Sequence, residues 1–177
     1  MEVFQGRPTD ETGRLEKEIA VYDLLDKLDI PFRRVDHVHA DTMEMCQEID
    51  QALGQDICKN LFLCNRQKTK FYLLLMPGDK PFKTKDLSAQ IGSSRLSFGG
   101  AEDMERLLNL TPGSVTVLGL MYDPDCQVTL LIDQDLYQQS AFGCHPCINT
   151  STVQFSTADF REKLLPALGH PVTLVQL

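Results

Sequence analysis

The chain lacks several features, and each absence excludes a class of protein. No apolar run approaches the roughly 20 residues that a membrane-crossing helix needs, so no membrane partner is expected. The opening residues, M-E-V-F-Q-G-R-P-T-D-E-T, lack the charged-then-apolar order of a secretory leader, and a cytoplasmic location is expected. Internal repeats, low-complexity tracts and linkers are missing too, which predicts a single domain over residues 1–177. Positive charge is also short: the net charge is −8, which argues against a general nucleic-acid binder.

What remains fits a globular domain. A chain of 177 residues can bury a sizeable core, and 42% hydrophobic with 24% charged residues is ordinary for a soluble protein. The charge is uneven, however. Arg66, Lys68, Lys70, Lys80, Lys83, Lys85 and Arg95 face only Asp79 and Asp86 within residues 66–95, so that segment carries +5 and the remainder −13. Such a segment is either a solvated surface or a local phosphate-contacting face.

Periodicity gives the elements. Arg14–Leu28 places Leu15, Ile19, Tyr22, Leu25 and Leu28 near helical spacing, with Pro31 beyond its end. Phe32–Val35 begins a strand, and Thr42–Leu53 reads as a second helix closed by Gly54. Ile57–Cys64 and Phe71–Met76 read as strands joined into a hairpin by the polar Asn65–Lys70. Thr84–Ile91 and Ala101–Leu108 are expected as short helices, with a short strand Arg95–Phe98 between them. A Pro-Gly turn then leads an apolar run to Leu120, Asp123-Pro124-Asp125 turns, and Gln127–Ile132 is a strand. Ser156-Thr157-Ala158-Asp159 resembles a capping box opening a last helix to about Leu168, and Pro171–Leu177 ends the chain as a strand. The mixture predicts the α+β (mixed α/β) class, with one central mixed, largely antiparallel sheet surrounded by helices.

Three stretches carry candidate chemistry. In F-G-C-H-P-C-I-N-T, Cys144 and Cys147 have the spacing of a zinc half-site or a redox pair. A structural zinc site needs four ligands, and no second Cys-x-x-Cys or H-x₃₋₅-H exists to supply them. A redox pair sits at a helix N-terminus, whereas Ile148 to Val153 is β-branched and polar, hence strand-like. Both cysteines are therefore expected to be packing residues, and all six (Cys46, Cys58, Cys64, Cys126, Cys144, Cys147) reduced. His145, on a rigid His-Pro dipeptide, is either structural or a pocket residue; Asn149 and Thr150 follow closely enough to bond its loop. Lys59 opens an apolar strand, where it either snorkels to solvent or presents its charge to a pocket. Gly113 in P-G-S-V-T-V-L-G-L is either a plain turn or a place where backbone N–H groups meet a carbonyl or phosphate.

Read together, K-N-L-F-L (59–63), P-G-S-V-T-x-x-G-L (112–120) and H-P-x-x-N-T (145–150), in this order and spacing, resemble the prolyl-tRNA synthetase-associated editing domain superfamily. R-L-S-F-G at 95–99 and the helix-then-strand start ending near D-H-V-H match as well, and the resemblance runs from about Arg14 to Leu177. Its nearest branch is the freestanding bacterial proteins that hydrolyse Ala-tRNA(Pro). The resemblance implies a trans-editing hydrolase: water attacks the aminoacyl ester, with no metal, no cofactor and no covalent intermediate. The implied partners are the tRNA(Pro) acceptor end carrying a small amino acid and, transiently, prolyl-tRNA synthetase.

Carried onto this chain, the resemblance gives catalytic roles to Lys59, Gly113 and His145. Lys59 would orient the acceptor end or the ester. The Gly113 loop would hold the carbonyl or terminal ribose, and His145 would shape the pocket around the terminal adenosine. Asn60, Arg95, Ser114, Asn149 and Thr150 are the implied substrate-binding residues, with Arg95 and the nearby lysines set toward acceptor-stem phosphates. One position departs from the pattern. The glycine loop usually ends in proline, where this chain has Val117, which predicts a looser loop that a proline would stiffen. A rival expectation follows from that residue: a homologue that binds aminoacyl-tRNA or a synthetase but hydrolyses slowly.

Overall fold

The computed structural model describes residues 1–177 throughout. The chain opens with β1 (Phe4–Gln5), α1 (Glu16–Lys27), β2 (Arg33–Asp36) and α2 (Met43–Leu53), followed by the hairpin β3 (Lys59–Cys64) and β4 (Phe71–Met76). Next come α3 (Thr84–Ile91), β5 (Ser97–Phe98), α4 (Ala101–Leu108), a 3₁₀ stretch Val117–Tyr122, and β6 (Val128–Asp133). After a second 3₁₀ stretch, Gln134–Gln138, lie β7 (Ala141–Cys144) and β8 (Ser151–Ser156). A last helical segment runs through α5 (Thr157–Asp159), a π-helical stretch Phe160–Leu164 and α6 (Leu165–Leu168), before β9 (Val172–Val175).

The α+β class and the largely antiparallel pairing are as expected, but the strands form two sheets rather than one. One has the order β1-β2-β8-β7 and is antiparallel throughout. The other has the order β5-β3-β4-β6-β9 and contains the two parallel pairs, β4 with β6 and β6 with β9. The reason lies in β4, F-Y-L-L-L-M, which is apolar on both faces and must be covered on both. Phe71, Leu73 and Leu75 face the main core, which lies between the sheets and is completed by α1, α4 and the last helical segment. Tyr72, Leu74 and Met76 face a second cluster capped by Leu87 of α3. A third, small cluster of Val35, Ile49 and Leu53 seats α2 on the outside of the four-stranded sheet.

The local signals were obeyed where they were strong. The Thr42 hydroxyl accepts from the Met45 N–H at 3.2 Å and caps α2, and Gly54 ends it at φ 72°. Ser156 likewise accepts from the Asp159 N–H at 3.0 Å. The helix it opens loosens into the π-helical stretch just before Pro166, which has no N–H to donate back along the helix.

Candidate active site

The two sheets meet at one end, and the expected catalytic residues gather there. Lys59 is the first residue of β3, and His145 directly follows β7. The Cys58 thiol donates to the Gly143 carbonyl at 3.4 Å, tying the β3 edge to β7. Two adjoining cavities open at this junction. The larger, of about 620 Å³, lies between α2, the Gly78–Asp79 turn, Lys59 and His145. The smaller, of about 250 Å³, is lined by Ile57, Cys58, Asn60, Gly113, Val115, Cys144 and His145. Ile57, Cys58 and His145 border both; Lys59 lines the larger, and Asn60 and Gly113 line the smaller.

His145 is oriented by its neighbours. Its Nδ1 donates to the Ser151 carbonyl at 2.8 Å, which leaves Nε2 as the lone-pair nitrogen. Nε2 has no protein partner and is not among the buried unpartnered atoms, so it is open to the cavity. Burial lowers the imidazole pKa below the ordinary value; the Ser151 bond opposes this, and His37, with ring centroids 6.0 Å away, adds to the lowering. The working form is a neutral acceptor. His37 itself donates from Nδ1 to the Val38 carbonyl at 2.6 Å and accepts from the Thr152 hydroxyl at 2.9 Å. Sequence reasoning gave neither His37 nor Thr152 a role; the D-H-V-H stretch was the only signal.

Lys59 forms no ion pair. Its ammonium donates to the Lys80 carbonyl, and the Lys80 side chain in turn reaches the fully buried Asp133 at 2.9 Å and Asp135 at 2.6 Å. The Lys59 charge therefore faces the cavity uncompensated by any direct carboxylate partner.

Gly113 is required twice. Its φ is +90°, a conformation side chains rarely adopt, and an added Cβ would lie 3.0 Å from the Asn149 amide. Asn149 acts as a clamp. Its amide donates to Asp41 at 3.1 Å and its oxygen accepts from the Ala40 N–H at 3.1 Å, holding the segment before α2 beside the glycine loop. The Thr150 carbonyl accepts from the His37 N–H at 3.0 Å. The side chains of Asn149 and Thr150 border a separate cavity of about 430 Å³ beyond the loop. Ser114 is buried, with its hydroxyl donating to the Thr111 carbonyl at 2.8 Å and accepting from the Thr111 N–H at 3.2 Å, so it closes the turn rather than facing the cavity.

One residue lies apart from the cavities and one expectation needs correction. Arg95 is exposed and borders neither cavity, so any contact it makes with acceptor-stem phosphates lies outside the pocket. It precedes β5, whose Ser97 pairs with Cys64 at the end of β3 opposite Lys59. Val117 does not loosen the glycine loop. It is fully buried, and its N–H donates to the Asn60 side chain at 3.0 Å, a bond that proline could not make. Asn60 thus borders the small cavity while its oxygen anchors the loop.

The Cys144 and Cys147 pair is packing. Burial pushes the Cys144 and Cys147 thiols up to about 12, with Cys144 adding to the shift at Cys147. Such thiols are protonated, hence poor nucleophiles and poor metal ligands. No three His, Cys, Asp or Glu side chains come together in a metal-holding group. What the arrangement offers is one ammonium beside Asp41, Asp50, Asp56 and Asp79 around the larger cavity, and one neutral imidazole and a glycine wall around the smaller, mixed polar and apolar recess. That is the equipment of a hydrolase that holds a small acyl ester and lets water attack it, without a protein nucleophile.

Comparison with known proteins agrees with that class. Residues 37–163 match the family model described as the aminoacyl-tRNA editing domain, and the chain belongs to this family. It is 31% identical over 163 residues to the prolyl-tRNA editing protein ProX of Acetoanaerobium sticklandii, covering 92% of this chain and 99% of that one. It is 28% identical over 162 residues to prolyl-tRNA synthetase associated domain-containing protein 1 of Danio rerio, covering 90% and 86%. A crystal structure of a candidate trans-editing enzyme for prolyl-tRNA synthetase superposes with a TM-score of 0.65 at 16% identity, over 92% of this chain and 98% of that one, a likeness of fold. The protein is an editing enzyme, an aminoacyl-tRNA deacylase.

Proposed function

We propose that this chain acts in trans on Ala-tRNA(Pro), with the whole of residues 1–177 as one editing unit working in the cytoplasm. The observation that carries the reading is the small recess of about 250 Å³ between Ile57, Cys58, Val115 and Cys144, closed on one side by Gly113 and His145. It has room for a small aminoacyl group. An apolar pocket discriminates by only about 1–3 kcal/mol per methylene, so a synthetase site built for proline admits alanine, and a second, smaller site must remove it.

In this reading Lys59 holds the phosphate or ribose at the 3′ end by its charge. The backbone at Gly113 approaches the ester carbonyl, where its N–H stabilises the developing oxyanion. His145 Nε2 accepts a hydrogen bond from the terminal ribose or from the attacking water and fixes its direction. The ester C–O bond breaks, alanine leaves as a carboxylate, and the freed ribose oxygen regains the proton lost by water. Asn60, Ser114 and Asn149 act by holding these groups in place, since their side-chain polar atoms are engaged by Val117, Thr111 and Asp41, while Thr150 holds the His37 N–H with its carbonyl and keeps its hydroxyl free for substrate. The tRNA(Pro) acceptor end is the substrate-bearing partner, and prolyl-tRNA synthetase a transient one, in keeping with the names of the relatives.

A deacylation panel tests the proposal: Ala-tRNA(Pro), Cys-tRNA(Pro), Ser-tRNA(Ala) and Pro-tRNA(Pro) under single-turnover conditions. Fast loss of alanine with Pro-tRNA(Pro) spared is the expected outcome. Equal rates on alanine and proline, or preference for Ser-tRNA(Ala), would remove it.

A further inference from the structure

Phe98 is out of place. Every other aromatic side chain is buried or half-buried, yet Phe98 is 64% exposed. Its exposure is built in rather than left over. Leu96 is anchored in the cluster under α3, and Gly99 lies so close to Phe62 that an added Cβ would fall 2.3 Å from that ring. These two neighbours press β5 flat on β3, with Phe98 opposite Leu63. Phe98 therefore stands on the same face of the sheet as Leu61 and Lys59. The Phe82 ring supports it edge-on, with centroids 6.3 Å apart.

The surroundings are cationic. Of the seven Lys and Arg residues in 66–95, only Lys80 is withdrawn into ion pairs. Arg66, Lys68, Lys70, Lys83, Lys85 and Arg95 are all exposed, and none is paired with a carboxylate. The Arg66 N–H donates to the Ser94 hydroxyl at 3.2 Å, which brings the hairpin turn beside Arg95, while Lys83 and Lys85 follow Phe82. In a chain of net charge −8, six exposed, unpaired cations on the hairpin turn and on the segments next to Phe82 and Phe98 fit a polyanion with stacking bases.

We infer that Phe98, backed by Phe82 and flanked by these cations, is a stacking platform for a base of the single-stranded 3′ end of the tRNA. The geometry sets roughly where along the tail the platform lies. Lys59 and Leu63 are four residues apart on β3, about 14 Å along a strand. At roughly 3.4 Å per stacked nucleotide that is about four steps. With the terminal adenosine at Lys59, Phe98 meets the strand where the single-stranded tail joins the acceptor duplex. The inference rests on the proposed function for the placement of the terminal adenosine, but the platform itself can be read by RNA binding alone.

The test uses the full chain and an uncharged acceptor-stem RNA hairpin ending in the single-stranded 3′ tail of tRNA(Pro). Base–aromatic stacking predicts that Phe98→Ala and Phe98→Leu each weaken binding by about tenfold, while Phe98→Tyr stays within about twofold of the parent. Phe98→Trp places a single indole in a chain that has no tryptophan, and its fluorescence should be quenched by the tailed hairpin but not by a blunt one. On Ala-tRNA(Pro), Phe98→Ala should raise the half-saturating concentration about tenfold and leave the saturating rate within about twofold. Unchanged RNA binding by a folded Phe98→Ala variant overturns the platform. Parent-like binding by Phe98→Leu also overturns it, and points instead to an apolar contact such as a synthetase surface. If the parent binds the tailed hairpin through Phe98 yet fails to release alanine, the proposed function falls and the platform stands; if it releases alanine with Phe98→Ala unaffected, the reverse holds.

Discussion

Replacing Val117 by proline is the most informative single change. The backbone tolerates it: Thr116 is extended at φ −155° and ψ 150°, as a residue before proline should be, and position 117 opens a 3₁₀ stretch, where proline is at home. Valine and proline are also similar in bulk, so the buried site need not be repacked. What proline removes is the N–H that donates to Asn60 at 3.0 Å. The Asn60 oxygen is then unpartnered in a part-buried place, at a cost of about 1–3 kcal/mol. For a domain of this size each kcal/mol lowers the melting temperature by about 2–4 °C, so a fall of about 2–12 °C is expected. The loop carrying Gly113 loses its tether, and the single-turnover rate on Ala-tRNA(Pro) should fall with little change in tRNA affinity. A double-mutant cycle with Asn60→Ala assigns the effect. Residues in contact couple by about 0.5–3 kcal/mol, so Asn60→Ala should add little once proline is present. Thermal melts with saturating-enzyme deacylation make the measurement. A folded Val117→Pro protein with an undiminished melting point and an equal or faster rate would refute the reasoning.

Other expectations follow from the same geometry. Lys59→Ala should slow single-turnover deacylation by at least about tenfold, equivalent to ~1.4 kcal/mol, without unfolding the chain; an unchanged rate would detach the ammonium from the chemistry. His145 has a lowered pKa, so the neutral form persists below the ordinary histidine value of about 6.5, and the acid limb of kcat/KM should fall below that pH. The stability term has the matching sign: the unfolded chain takes up the proton first, so stability from His145 is present above about pH 6.5 and is lost as pH falls toward the folded-state value. Removing the ring with His145→Gln should abolish that term, and a pH-independent difference in melting point between the two proteins would count against it. Iodoacetamide should label the exposed Cys46 and Cys126 in the native state and reach Cys58, Cys64, Cys144 and Cys147 only after unfolding, as intact-mass measurement will register.

Much of this protein was legible in one dimension because the responsible forces are local. A threonine that caps its own helix at Met45, a glycine that ends that helix, and six apolar residues flanked by polar turns act over a few residues, and the elements they predict are the ones observed. The ordered motifs around Lys59, Gly113 and His145 likewise marked residues that do converge.

The rest depended on partners distant in the chain. A basic segment in sequence looks like one face, but the β3–β4 hairpin carries Arg66 and Arg95 to one end and Lys80 to the other, where buried Asp133 takes it. Ser114 and Asn149 sit within motifs and read as substrate contacts, yet their hydrogen bonds are filled by Thr111, Ala40 and Asp41. Val117 reads as a missing proline until Asn60, 57 positions earlier, is found to need its N–H. Sequence periodicity decides which way a side chain faces within its own element. Which polar atom answers it is decided only when the two sheets close on a common core and every buried donor must find an acceptor.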